Sequence, residues 1–217
     1  MMAYVGQTRS KKLIAQLIDL GIGEMTVRGE YPPCRQPWAY DNGAYRDWKA
    51  GVPFNERDFL ADIYDIYDIH GYGDLPDFIV APDIVAGGDE SIDVSVDWAE
   101  RLDGIAPLYL AVQDGMTVDR VTEALPHFSG LFVGGTLPWK LSTGQQWVKL
   151  AHRNGMSCHV GRVGTARRVR WAERIGVDSV DSCLPLWSKD NLRVFLEAFD
   201  HPQQELFAHP VTPGAQT

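Results

Sequence analysis

Residues 108–160 contain three short apolar runs, LYLAV at Leu108–Val112, LFV at Leu131–Val133 and SCHV at Ser157–Val160, separated by the helix-length stretches Val118–Leu125 and Lys140–Arg153. Short strands alternating with stretches of helical period read as parallel strands joined through helices, and such a sheet needs helices packed against it. The same alternation extends in both directions. Towards the C-terminus come the helix Ala166–Ile175, the strand Ser179–Asp181 and the helix Lys189–Phe199. Towards the N-terminus lie the strands Ala3–Gly6, Met25–Arg28, Trp38–Tyr40 and Asp77–Ala81, with helices over Thr8–Leu20, Asn55–Ile69 and Glu90–Leu102. Eight strands and seven helices predict an α/β fold closed as a compact (β/α)8, TIM-like barrel. The second and third strands are the one pair without a helix between them; the loop Gly29–Pro37 joins them. An open doubly wound sheet is the alternative, but no Gly-x-Gly-x-x-Gly follows the first strand to mark a dinucleotide site.

With 217 residues, 45% of them apolar, the chain is long enough for one well-buried domain and short for two. We expect a single barrel domain over residues 1–200 and a Pro- and Gln-containing tail over 201–217. No run of about 18 apolar residues occurs, and Met1–Lys12 do not form a signal-peptide core, which predicts a soluble cytoplasmic protein with no membrane partner. Cys34, Cys158 and Cys183 show no CxxC spacing, so they read as structural thiols and no metal site is expected. A net charge of −9 is the wrong sign for holding nucleic acid by bulk electrostatics. The charge is unevenly distributed, however: residues 54–104 carry 14 acidic and 2 basic side chains, and residues 140–174 carry 8 basic and 1 acidic. One part of the surface can face phosphates while another keeps the protein soluble.

Barrels of this kind build their chemistry where strands end. In GVDSVDSCLPLW, Gly176–Trp187, a strand delivers Asp181 to its C-terminal end and Pro185 stops an immediate helix. The third strand runs into WAYDNGAYRDW, Trp38–Trp48, where Asp41 either shapes a turn or serves a site. Asp83 closes DFIVAPD, as a helix cap or as a binding carboxylate. Gln113 follows the fifth strand, and Gly134 and Gly135 follow the sixth, either as a tight turn or as a backbone able to approach a ligand. Gly161 and Arg162 follow the seventh strand, ahead of a helix carrying Arg167, Arg168 and Arg170, which reads as a solvated basic face or as a phosphate site aided by the helix N-terminal amides near Thr165. Arg28 offers a contact to a nucleic-acid backbone or a surface salt bridge. Trp139, Trp147 and Trp171 offer stacking surfaces or core packing.

Over roughly residues 38–187 these motifs resemble, in order, those of the tRNA-guanine transglycosylases. GVDSVDSCLPLW is similar to the segment with that family's nucleophilic aspartate, and DNGAY resembles its Asp-Ser-Gly-Gly-Phe motif, from which Asn42 and Ala44 depart. VQDG resembles Val-Gln-Gly with Asp114 inserted, LFVGG resembles Ala-Val-Gly-Gly, and VGRVG resembles Met-Gly-Val-Gly. The resemblance implies Asp181 as nucleophile, Asp41 as proton acceptor and donor, and Asp83 as the acceptor for a purine's N1–H and exocyclic amine. It also implies Gln113 on the base carbonyl and Gly134, Gly135 and Gly161 at the base. The family's zinc-binding Cys-x-Cys-x-x-Cys with a later His is missing: after Asp181 come only Cys183, His201 and His209.

A compact barrel lacking the zinc-binding subdomain is most similar to the DNA-acting members that insert 7-deazaguanines. The expected activity is therefore DNA-guanine transglycosylation without a cofactor, in a bacterial or phage-infected cell. The expected partners are DNA in preference to tRNA, a base such as 7-cyano-7-deazaguanine, and a second copy or a partner protein. The alternatives are a tRNA-acting enzyme, a non-catalytic nucleic-acid-binding subunit, and an unrelated barrel enzyme acting on a phosphorylated metabolite.

Overall fold

In the computed structural model, which describes residues 1–70, 75–102 and 104–199, eight parallel strands close into a barrel in chain order. They are β1 (Met2–Gly6), β2 (Gly23–Val27), β3 (Trp38–Asp41), β4 (Ile79–Val80), β5 (Leu108–Val112), β6 (Gly130–Val133), β7 (Ser157–Val160) and β8 (Ser179–Ser182). The ring closes where β8 pairs with β1, with Tyr4 opposite Asp181 and Val5 opposite Ser182. Outside run α1 (Lys11–Asp19), α2 (Ala44–Ala50), α3 (Glu56–His70), α4 (Glu90–Arg101), α5 (Val118–Ala124), α6 (Leu137–Arg153), α7 (Ala166–Ile175) and α8 (Lys189–Phe199). The predicted (β/α)8 barrel is thus the observed fold. The tail expected over 201–217 lies outside the described residues.

Three differences from the sequence reading bear on the site. The helix α2 is additional, because the sequence shows only the Asp41–Gly43 turn signal there and no helix before Asn55. Gly43 at φ +76° starts it and Gly51 at φ +69° stops it, so its seven residues are too few to display a 3.6-residue period. β4 retains only Ile79–Val80 of the expected Asp77–Ala81. α6 begins at Leu137 rather than Lys140, with a proline in its first turn, a position where the missing N–H costs nothing.

Two apolar regions hold the barrel. The larger lies between strands and helices and contains Trp38, Phe59, Trp147 and Phe195. Trp139 and Trp171 pack against it, so all three tryptophans of the basic region serve the core. The smaller fills the lumen with Tyr4, Met25, Ala39, Phe78, Val80, Tyr109 and Ala111. Phe78 stacks on Tyr109 with centroids 4.2 Å apart and meets the edge of Tyr4 at 5.8 Å. Room for these rings comes from glycines on neighbouring strands. A Cβ on Gly23 would stand 2.6 Å from the Tyr4 ring, and one on Gly130 would stand 2.5 Å from Tyr109.

Between β2 and β3, where no helix covers the sheet, Arg35 takes that place. Its guanidinium pairs with Glu24 at 2.7 Å and donates to the carbonyls of Val5 and Gly23, each at 2.9 Å, with both side chains fully buried.

Gly130→Ala should lower stability by about 1–3 kcal/mol through overpacking against Tyr109. Thermal unfolding of this variant, of Tyr109→Val and of the double variant checks the cause: the two costs should add less than fully, because Tyr109→Val removes the ring while the Ser157 carbonyl oxygen, 2.8 Å from the new methyl, still resists it.

Candidate active site

At the C-terminal ends of the strands the lumen opens into a cavity of about 460 Å³. Of the residues singled out in the sequence, Asp41, Asp83, Gln113, Gly134, Gly135, Arg162, Arg168 and Asp181 line it. Gly161 sits behind the wall, where a Cβ would stand 2.8 Å from Phe132 and 3.3 Å from Asp181 Oδ1. Arg167 and Arg170 are exposed on α7 and do not line the cavity.

Asp181 stands on β8 with one carboxylate oxygen anchored. Its Oδ1 accepts from His159 Nε2 at 3.1 Å and from the Arg162 amide at 3.0 Å; among the described residues Oδ2 takes no hydrogen bond. The Arg162 amide reaches this position because the residue adopts φ +61°, a left-handed conformation that is uncommon for a residue with a Cβ.

His159, from β7, is fully buried and stacks on Phe132 with centroids 4.9 Å apart. With Asp181 as the acceptor, Nε2 carries the proton, and a neutral ring then offers Nδ1 to the Ser179 hydroxyl at 2.9 Å. The sequence reading missed this residue. A signal was present, since a lone histidine in the four-residue strand SCHV sits two positions before Gly161, on the same face of the strand.

Asp41, the last residue of β3, accepts from the Gly43 amide at 2.7 Å. Burial raises its pKa, and the nearby Asp181 charge adds to that effect while the Gly43 hydrogen bond and His159 oppose it. Asp83 accepts from Asn42 Nδ2 at 3.0 Å. Burial pushes its carboxyl up to about 6, against the Asn42 hydrogen bond and with some help from Asp41. These three carboxylates, from β3, the loop after β4 and β8, face one cavity together with Asp114 after β5, and burial raises the pKa of Asp41 and Asp83.

One assignment needs correction. Arg28 is neither a surface ion pair nor exposed to a nucleic-acid backbone: it is 3% exposed and grips Asp47 of α2 through NH2, at 2.5 and 2.7 Å. Although burial alone raises the Asp47 pKa, the Arg28 hydrogen bond and charge carry it below the usual value. This buried pair fastens the end of β2 to α2, and so frames the Asp41–Gly43 turn between them.

Gln113 lines the cavity, but its amide is engaged within the protein, with Nε2 also 3.4 Å from Asp83 Oδ2. Nε2 donates to Ile84 O at 2.8 Å and Ser91 Oγ at 3.1 Å, and Oε1 accepts from the Ala86 amide at 2.7 Å. The donor expected on a base carbonyl is thus spent on shaping the loop that carries Asp83.

Other lining residues escaped the sequence reading. Asp114, read as an interruption of a motif, accepts from the Thr136 amide and hydroxyl, both at 2.7 Å, and so pins the Gly134–Gly135 loop. Tyr45 and Trp48, on the unexpected helix α2, are stacked with centroids 5.8 Å apart and about half exposed at the cavity mouth. The Arg162 guanidinium lies over the Tyr45 ring at 4.6 Å. Lys140, on α6, is 3% exposed. Burial lowers its pKa to about 7, reinforced by the Arg162 and Arg168 charges and opposed by Asp181 and Asp114.

Among the described residues no group of three or more His, Cys, Asp or Glu side chains is placed to hold a metal ion. Comparison with known proteins finds no family model and no curated protein that matches this chain.

Proposed function

We propose that the protein is a DNA-guanine transglycosylase that exchanges guanine for a 7-deazaguanine derivative, with Asp181 as nucleophile and Asp41 as acid and base. The observation that carries this reading is the placing of Asp41, Asp83 and Asp181 among the four carboxylates on one cavity, with Asp181 Oδ1 held by two donors and Oδ2 taking no hydrogen bond among the described residues. The ordered resemblance of the surrounding motifs to guanine transglycosylases supports it.

In this reading Oδ2 of Asp181 forms a bond to C1′ of the nucleotide as the bond from C1′ to the guanine nitrogen breaks, through an oxocarbenium-like transition state. The departing purine keeps the electron pair and takes a proton from Asp41, whose raised pKa favours the protonated form needed for that step. The incoming 7-deazaguanine gives a ring N–H proton to Asp41 and attacks C1′, releasing the Asp181 carboxylate. His159 positions Oδ1 throughout, and its hydrogen bond strengthens as charge returns to the carboxylate. Asp83 accepts from N1–H and the exocyclic amine of the base, using lone pairs that Asn42 on Oδ1 and the longer Gln113 contact on Oδ2 leave free. A base inside a duplex has to leave the stack to enter such a cavity.

A second reading, a barrel enzyme acting on a phosphorylated metabolite, is favoured by one observation: Lys140, Arg162 and Arg168 line the same cavity, and none forms an ion pair among the described residues.

Incubation with guanine-labelled duplex DNA, single-stranded DNA or tRNA plus 7-cyano-7-deazaguanine, followed by nucleoside mass spectrometry, tests the proposal. Exchange in DNA should fall by at least about 10³-fold in Asp181→Ala. Exchange confined to tRNA moves the substrate, and release from none of the three rejects the reading.

The role of His159 has its own signature. His159→Phe keeps the ring stacked on Phe132 but removes the donor, and should slow exchange by about 10-fold or more, whereas His159→Gln, which restores an N–H, should recover much of the loss.

Asp83 accepts from a purine only when ionised, so affinity for 7-cyano-7-deazaguanine should rise as pH rises through about 6. Titration calorimetry between pH 5 and pH 8 checks this. Asp83→Asn should bind about 10- to 100-fold more weakly above that range and lose the pH dependence.

A further inference from the structure

The cavity is divided by charge. Asp41 and Asp83 come from β3 and the loop after β4, whereas Lys140, Arg162 and Arg168 come from α6, the loop after β7 and α7. In an eight-stranded ring β3 and β7 are four strands apart, so Asp41 and Asp83 approach the cavity from the side opposite the basic groups, while Asp181 on β8 and Asp114 after β5 lie nearer to Lys140.

The basic side forms no ion pair among the described residues, although Asp181 and Asp114 lie near enough to favour the Lys140 ammonium in part. Lys140 donates to Gly161 O at 2.6 Å, which leaves two of its three N–H bonds without a partner among the described residues although the side chain is buried. Arg162 donates to Gly135 O at 2.5 Å, and the half-buried Arg168 makes no side-chain hydrogen bond among the described residues. Among the described residues no carboxylate forms an ion pair with any of the three. Arg162 and Arg168 repel the Lys140 ammonium strongly enough to help hold its pKa near 7. Three cations on one cavity, one of them buried, whose partners among the described residues are two carbonyls and the Tyr45 ring, are an arrangement that an anion stabilises.

We propose that Lys140, Arg162 and Arg168 form a phosphate-binding subsite, which takes the phosphate attached to the sugar whose C1′ faces Asp181. Arginine forks suit phosphate oxygens, and the Lys140 ammonium supplies a point charge behind them. The ownership of that phosphate, a nucleotide in a strand, rests on the proposed base exchange; the subsite itself does not. It makes the site one for nucleotides rather than nucleosides, because the phosphate anchors the sugar on the side opposite the base-binding carboxylates.

The test is binding to the full chain by titration calorimetry, with inorganic phosphate, deoxyguanosine, dGMP, ribose 5-phosphate and the trinucleotide TGT as probes. Inorganic phosphate should bind, and dGMP should bind about 10- to 100-fold more tightly than deoxyguanosine. That ratio should collapse to within about threefold in Arg168→Ala and in Lys140→Met. Thermal unfolding of both variants verifies folding; Arg168 is half-exposed, so its variant carries the test if removal of buried Lys140 unfolds the chain. Equal affinity for dGMP and deoxyguanosine in the wild type, or a ratio kept in a folded Arg168→Ala variant, overturns the subsite. Tighter binding of TGT than of ribose 5-phosphate assigns the phosphate to a nucleic-acid strand. Arg168-dependent binding of ribose 5-phosphate, with no binding of TGT or deoxyguanosine, keeps the subsite and rejects base exchange.

Discussion

Closure of the barrel through β8 and β1 is the constraint on which the rest depends. A ring of eight strands has a lumen only wide enough for side chains, and once closed it has no free edge. Here the lumen is filled by Tyr4, Phe78 and Tyr109, against which the His159 and Phe132 rings pack. Those rings fit because Gly23 and Gly130 leave space beside them. The result is a dry, packed support beneath the cavity, and the polar groups above it inherit a low-dielectric setting. That is why burial heads the causes that raise Asp41 and Asp83 and lower Lys140.

Around this support, each site residue is held by a neighbour with no direct chemical part. The Arg28–Asp47 pair fastens α2 to β2 and thereby frames the turn carrying Asp41 and Asn42. Gln113 shapes the loop after β4, and Asp114 pins the loop after β6. Buried polar groups used in this way add little net stability but penalise alternative arrangements, since breaking one leaves an unpaired group in the interior. Several residues that a motif alone would assign to a ligand are thus occupied with the protein itself.

The motifs at the strand ends were legible because a barrel places every strand's C-terminal end on one rim, so position in the chain translates into position at the mouth. Asp41, Asp83, Gly134, Gly135 and Asp181 meet at one cavity for that reason. The direction of a long side chain is less legible. Arg28 and Gln113 lie near the rim as expected, but each is turned by a partner distant in sequence, Asp47 in one case and Ile84 and Ser91 in the other. His159 and Lys140 were hidden for a related reason, because their importance comes from burial beside charged groups on other elements. The helix α2, with Tyr45 and Trp48, was hidden by its brevity.

The sequence by itself determined the alternation of strands and helices, the parallel barrel that follows from it, and the acidic and basic halves of the chain. These depend on local periodicity and on short-range turn chemistry, which a single chain displays openly. Only the tertiary structure decided which oxygen of Asp181 is anchored by His159 and Arg162, which arginines reach the cavity, and which charges are paired. Those properties are set by contacts between residues tens of positions apart, and by the exclusion of water that begins once the ring has closed.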